Sequence, residues 1–384
     1  MKMHNRGRWW ACMLVSLLAA RILVAGQAFA GDRIAPSLPA PLTAVDDGTA
    51  SDVFRLQLAD DAYVTLSAQN TVNLTAFGLT KSLAVDLDLE RFWITAPGTR
   101  FVVGTDHGNV PMEAPQVAFF RGKAVGRDDS KVFLSVSPKG MNGIIRLGEA
   151  EYVLSSSSGH QNAAAIATHT IFDRYSFDPA APPIPFDCEV VLAPGQVAPV
   201  ATAQPMAYVL GASRVALIAF DGDYEFRLLF GTPDDAALYT LELIAAISTI
   251  YENDINLKLA ASYVRIWDTP SDPYTAGDTS GQLPEFANYW QSNMGSVFRN
   301  TAHLLSGRNL GGGIAYLDNM CGDSLAYGVS ANLDGFFPTP IHSADFNNWD
   351  LVVVAHELGH NFRSPHTHCY SPPVDQCWNT ESEC

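Results

Sequence analysis

Four histidines and a glutamate fall within VVVAHELGHNFRSPHTHCY, Val352–Tyr370. His356 and His360 are four positions apart, a spacing that on a helix sets both imidazoles on one face, about one turn from each other. Two neutral ring nitrogens placed this way can share one zinc ion, which takes nitrogen ligands at ~2.0–2.1 Å. Glu357 stands beside the first ligand, where it would meet a water next to the metal rather than the metal itself. The pattern is H-E-x-x-H, in which zinc lowers the pKa of a bound water to about 7 and the glutamate accepts its proton. His366 is a candidate third ligand, because a turn through Arg363-Ser364-Pro365 after the expected helix end at Asn361-Phe362 can bring it back. His368 is read as a solvated loop histidine. A bare H-E-x-x-H also arises from chance pairs of surface histidines. The third histidine, and the valines ahead of His356 that give the helix a separate core face, favour the metal site.

The elements that would hold these residues alternate. VALIAF reads as an apolar strand, DDAALYTLELIAAISTIYENDI as a long helix with an acidic start, and KLAASYVRIWD as a strand. LPEFANYWQSNMGSVFRNTAHLL reads as a second helix, GGGIAYLD and SLAYGVSA as strands, and WDLVVVAHELGHNF as the last helix, which carries the histidines. Sheet interleaved with helices predicts an α/β domain over 206–384.

The front half has another texture. From Val53 to about Ser155, short apolar runs such as FRLQLADDAYVTLSA, RFWITA, VAFFRGKAV and KVFLSVS are separated by turn residues, which predicts a β-rich domain over 31–177. Residues 178–205 are rich in Pro and small residues and lack Lys and Arg, and they are read as a linker. Ahead of everything, MKMHNRGR is basic, WWACMLVSLLAARILVAG is largely apolar, and Ala28-Phe29-Ala30 is a small-x-small exit, so residues 1–30 are expected to be an export signal. Arg21 interrupts the apolar run, which argues against a membrane anchor, so no transmembrane segment is expected once the signal is removed.

The formal net charge is −17, and removing 1–30 takes away Lys2, Arg6, Arg8 and Arg21 but no acid. So acidic a chain has no electrostatic hold on nucleic acid or anionic lipid. Cys12 leaves with the signal, and Cys188, Cys321, Cys369, Cys377 and Cys384 remain. The three that cluster after the histidines suit disulfides in an oxidising compartment, with pairings that the sequence leaves open.

His356-Glu357-Leu358-Gly359-His360-Asn361-Phe362-Arg363-Ser364-Pro365-His366 resembles the extended zinc motif H-E-x-x-H-x-x-G-x-x-H of the metzincins, with wording nearest the reprolysin (adamalysin) branch. GGGIAYLDNMCG, Gly311–Gly322, resembles the edge-strand segment that precedes the active-site helix there, and Phe119–Leu154 resembles the propeptide of that branch. The resemblance covers most of residues 85 to 370. It implies a β-rich propeptide domain followed by a metzincin-like α/β catalytic domain, with a mixed twisted sheet and an active-site helix. It further implies a secreted zinc endopeptidase made as a latent proenzyme. Its substrate would be a polypeptide lying antiparallel to the edge strand Gly313-Ile314-Ala315-Tyr316.

The resemblance also implies that the propeptide inhibits its own enzyme, with a thiol on the zinc. Cys188 stands where such a thiol would, and it reads equally as a spare or intermolecularly paired cysteine. A structural calcium ion fits the resemblance too, without an assignable ligand set. Two positions depart from the pattern. Arg363 replaces the motif glycine at a turn expected near positive φ, where a side chain costs roughly 1–2 kcal/mol. Either the strain is tolerated with zinc bound, or the site is weakened and the chain is a binding or adhesion protein. A zinc amidase acting on cell-wall peptides is a further alternative. The family's methionine-containing turn should follow the third histidine, yet the last methionine is Met320, so the catalytic domain is expected to be C-terminally truncated.

Overall fold

The computed structural model describes residues 35–45, 54–156, 168–173, 187–191, 214–317, 320, 325–336 and 349–374. The expected export signal, and Cys321, Cys377 and Cys384, lie outside these residues. The strands of the front half are β1 (Ser37–Pro39), β2 (Leu42–Ala44), β3 (Phe54–Leu58), β4 (Thr71–Gly78), β5 (Ala84–Phe92), β6 (Thr95–Thr105) and β7 (Gly108–Met112). They continue with β8 (Ala118–Ala124), β9 (Ser130–Ser137), β10 (Gly140–Leu147), β11 (Ala150–Ser156) and β12 (Thr168–Asp173). Ten of them pair into one sheet in the order β1-β4-β5-β8-β9-β10-β11-β12-β3-β2. Alternation drives this sheet: in β4, Val72, Leu74 and Phe77 are fully buried while Thr71 and Ala76 face out. One piece expected as strand is helical, since Ala62–Ser67 forms the short helix α1, which buries Ala62 and Leu66.

The second sheet carries the histidine segment. It contains β13 (Asp187–Val191), β14 (Arg214–Gly222), β15 (Leu257–Trp267), β16 (Thr301–Leu305), β17 (Gly312–Tyr316) and β18 (Tyr327–Ser330). Its order is β13-β17-β18-β16-β14-β15-β6-β7. The central pairs are parallel, and β17 runs antiparallel to β18. The helices are α2 (Tyr224–Leu228), α3 (Pro233–Ile255), α4 (Thr279–Asn293) and α5 (Trp349–Asn361). The start of α3 is set by Thr232, whose hydroxyl accepts from the amide of Asp235, with Pro233 in the first turn. Asn256, left-handed at φ 53°, ends it.

The second expected helix is shorter than the sequence suggests. It stops at Asn293, and Thr301–Leu305 is instead a strand buried at every residue between β14 and β18. Leu304 and Leu305 at its end have no exposed surface. Five buried residues in a row suit the middle of a parallel sheet, where both faces are covered.

Two features join the front strands to this sheet. β6 pairs in parallel with β15, matching Phe101 to Val264 and Gly104 to Trp267, and β7 extends the sheet from β6. α3 packs on β15 and also meets β8 and β9 of the first sheet. One buried cluster therefore contains Ile94, Phe101, Phe119 and Phe133 together with Leu241, Ile244 and Val264. Each such side chain removed from water contributes about 1.5–3 kcal/mol. Within this seam Glu242 of α3 is buried and accepts from Ser135 Oγ at 2.8 Å and Asn142 Nδ2 at 2.9 Å. Burial pushes its carboxyl up to about 7 against those two bonds.

Candidate metal centre

The helix α5 has two working faces. Asp350, Val353, Val354, Leu358 and Asn361 form a buried stripe at helical spacing, and Val352 on the other side is exposed. At the helix start Asp350 accepts from Tyr239 Oη at 2.6 Å and from the amides of Asp334 and Gly335. A carboxylate there also suits the positive end of the helix.

At the helix end Asn361, fully buried, fastens α5 to three strands. Its amide nitrogen donates to the carbonyls of Tyr316 at 2.9 Å and Tyr327 at 3.0 Å, and its oxygen accepts from Thr301 Oγ1 at 3.0 Å. In the sequence Asn361 is only an unnamed position of the motif. A polar residue in phase with the buried stripe is the one signal that could have marked it.

The chain then turns back through Arg363, which sits at φ 78°. The amide of Ser364 donates to Gly359 O at 3.0 Å and that of Arg363 to His360 O at 2.9 Å. These two bonds make a Schellman turn with Arg363 at its left-handed position, where glycine is the usual residue. The turn expected from the motif is therefore formed with arginine in it. It also places the carbonyl of Ser364 2.6 Å from His360 Nδ1. A carbonyl only accepts, so Nδ1 carries the proton and Nε2 keeps its lone pair for a ligand bond.

Beyond the turn His366 returns to the helix. The ring centroids of His356 and His360 are 4.5 Å apart, those of His360 and His366 4.9 Å, and those of His356 and His366 5.4 Å. One ligand atom from each lies within 4.8 Å of the other two, a span that side-chain rotation can close around one ion held at about 2.0–2.1 Å from each nitrogen. Burial, reinforced by the neighbouring imidazoles, pushes His356 down to about 3 and His360 to about 4. Neutral rings are what a metal needs. His356, His360 and His366 thus fit a zinc ion. His368 stacks on His366 at 5.3 Å, and with Cys369 it could make a second ligand group, but Cys369 is disulfide-bonded and offers no thiolate.

Glu357 is fully buried against β17. A Cβ on Gly313 would stand 2.2 Å from Glu357 Oε1, so a larger residue there would push the carboxylate from its place. Gly311 and Gly312 answer to a different need, with φ of 105° and 147°. The sequence marks Gly313 as part of a substrate strand, and its role as room for Glu357 is not visible there. Tyr251 of α3 steadies the same helix by donating to the carbonyl of Ala355 at 2.7 Å.

The strand Gly313–Tyr316 is an edge only with β13 set aside. β13 pairs with β17 in parallel, with Cys188 level with Gly313 and Val191 level with Tyr316. The backbone thus brings Cys188 to the register position of the glycine that makes room for Glu357. His303, outside the motif, is buried with Nε2 2.8 Å from Ser330 Oγ. His169 is buried likewise and accepts from the amide of Met141 at 2.9 Å, while His107 is exposed. No calcium ligand set can be assigned among the described residues.

Residues 211–384 match the family model described as Reprolysin_5, metallo-peptidase family M12. This stretch contains Glu357, His356, His360 and His366, and over it the chain is similar to a metallopeptidase family. Among solved structures, the crystal structure of metalloproteinase-II from Bacteroides fragilis is 12% identical, with a TM-score of 0.44, covering 80% of this chain and 85% of that one. A chaperone-substrate complex is 14% identical, with a TM-score of 0.29, covering 39% of this chain and 23% of that one. Both TM-scores lie below 0.5, and neither likeness bears on the function. Among curated proteins none matches the sequence.

Proposed function

We propose that the chain is a secreted zinc endopeptidase of reprolysin type, made as a latent proenzyme. The observation that carries this reading is the convergence of His356, His360 and His366 beside the buried carboxylate of Glu357. Held by those three nitrogens, zinc would supply Lewis acidity to a scissile carbonyl and to the attacking water. Glu357 takes the water's proton and passes it to the leaving nitrogen, while β17 aligns the substrate main chain once its edge is free. Latency is supported by β13, which lies along β17 where that peptide would lie and sets Cys188 level with Gly313. The propeptide reading of residues 31–177, the linker at 178–205 and the start of the catalytic domain at 206 belong to this proposal. So does export through residues 1–30, which lie outside the described residues. No helix among the described residues is long and apolar enough to cross a membrane.

Zinc content tests the reading. Purified protein should hold about one zinc per chain, the content expected of a single-ion site, and His356→Ala should abolish it. A folded protein without zinc would overturn the peptidase reading. The second reading, a weakened site in a binding protein, rests on the left-handed arginine at φ 78°. If the strain at Arg363 matters, Arg363→Gly should raise both zinc retention and peptide hydrolysis. If wild type and R363G bind and cleave alike, the strain is absorbed by the turn.

Gly313→Ala separates position from composition. The methyl would displace the carboxylate of Glu357, and misplacement of a catalytic group by about 1 Å lowers rate by roughly 100-fold. Zinc content should stay unchanged. Full activity in G313A would show that Glu357 does not work from the place it occupies against β17.

A further inference from the structure

We propose that the front half is a resident subunit of the peptidase, staying seated on β15 and α3 after the chain is cut, and that loss of β13 alone opens the site strand. The second clause rests on the latency reading; the first does not. Three observations carry it.

The first is the continuous sheet. β6 runs beside β15 from Thr95 to Gly104, and outside the regular ladder Ala261 N donates to Ile94 O at 2.7 Å and Asp268 N to Gly104 O at 2.9 Å. Thr99 Oγ1 adds a bond to Ala261 O at 2.7 Å. A Cβ on Gly104 would stand 2.5 Å from the Trp267 ring, so strand and indole are fitted to each other. Removing the front half would bare this length of β15 as an unpaired edge.

The second is the shared core. Phe119 and Phe133 of the first sheet are buried in the same cluster as α3. Their rings stack with centroids 6.4 Å apart. At the margin Arg121 pairs with Glu252 and Lys139 with Asp235. Both pairs keep part of their side chains in water, where ion pairs contribute modestly, so the seam is held chiefly by apolar burial and by the strand pairing.

The third is the chain order. β13 comes after β12 and before β14, so a cut between Val191 and Arg214 leaves β13 attached to the front half. If the front half stays in place, that single hydrolysis leaves β17 covered. A second hydrolysis, between Asp173 and Asp187, frees β13 as a short peptide held by one five-residue strand. The site strand then becomes accessible while β6 stays on β15.

The test uses the full chain with recognition sequences for two different added proteases, one inserted between Asp173 and Asp187 and the other between Val191 and Arg214. The uncut chain with both insertions serves as the reference. Size exclusion follows the fragments, and amide hydrogen exchange follows Gly312–Tyr316. After the second-site cut alone, the two halves should co-elute, also in about 1 M salt, where charge pairing is screened. The amides of β17 should keep their protection. After both cuts the front fragment should still co-elute, and β17 should exchange roughly tenfold faster or more. Separation of the halves in either form overturns the proposal, and so does loss of β17 protection after the single cut. If the doubly cut, zinc-loaded protein co-elutes and exchanges as expected yet hydrolyses no peptide, the resident subunit stands and the peptidase reading falls.

Discussion

Glutamine in place of Glu357 is expected to leave zinc bound and to lower kcat by roughly 10²–10⁴-fold, the usual share of a positioned general base. The substitution keeps the size of a side chain that has no exposed surface and lies against Gly313, so the strand and helix need not move. An amide cannot take the water's proton. Glu357 is also not counted among the converging metal ligands, so metal content and rate should come apart. Measuring zinc per chain and kcat on the same zinc-loaded preparation checks both halves of the expectation. Undiminished turnover would remove Glu357 as the base, and lost zinc would make it a ligand instead.

The largest effect on stability is expected away from the site, at Asp221. This buried carboxylate accepts from Arg265 Nε at 2.9 Å and from Arg265 Nη2, from Tyr274 Oη at 2.6 Å and from Trp290 Nε1 at 2.8 Å. Arg265 is buried as completely, and the pair ties β14 and β15 to α4. Removing one partner leaves the other charge in the core without its counterion, so Asp221→Ala should cost about 3–5 kcal/mol. The tyrosine and tryptophan lose an acceptor in the same step. Urea unfolding followed by tryptophan fluorescence gives the value from the midpoint at constant slope. An unshifted midpoint would mean that the network relaxes around the loss, and the buried pair would then be neutral.

The chemistry is legible in the sequence because it is local. H-E-x-x-H places its groups by helical spacing alone, and the third histidine follows within one turn of chain. Arg363 is legible as a departure because left-handed backbone is a property of single residues, and the turn does form there at φ 78°. The long helix is placed almost to the residue, as 234–255 against Pro233–Ile255, since its caps and apolar run agree.

What stays hidden depends on partners far along the chain. TAHLL looks helical as a continuation of α4, yet its five residues are claimed by β14 and β18. AYVTLS alternates like a strand but follows Asp60-Asp61 into a helix. β6 and β7 read as part of a front domain, and nothing in their residues announces that β15 needs them. β13 lies in a stretch whose prolines suggest only a linker. Gly313 and Asn361 carry their meaning in three dimensions, the first through what it leaves out and the second through what it holds.

Asn361 has a consequence for how the metal would come and go. By gripping Tyr316, Tyr327 and Thr301 at once, it closes the end of α5 onto three strands with bonds that need no ion. The Ser364 carbonyl orients His360 through another bond within the chain. In small zinc-dependent folds the ion assembles its own surroundings, and its binding energy is spent on folding. Here the walls of the socket are joined by bonds between chain atoms. A chelator should therefore empty it without collapsing its walls, and refilling should run at the pace of ion exchange rather than of chain refolding.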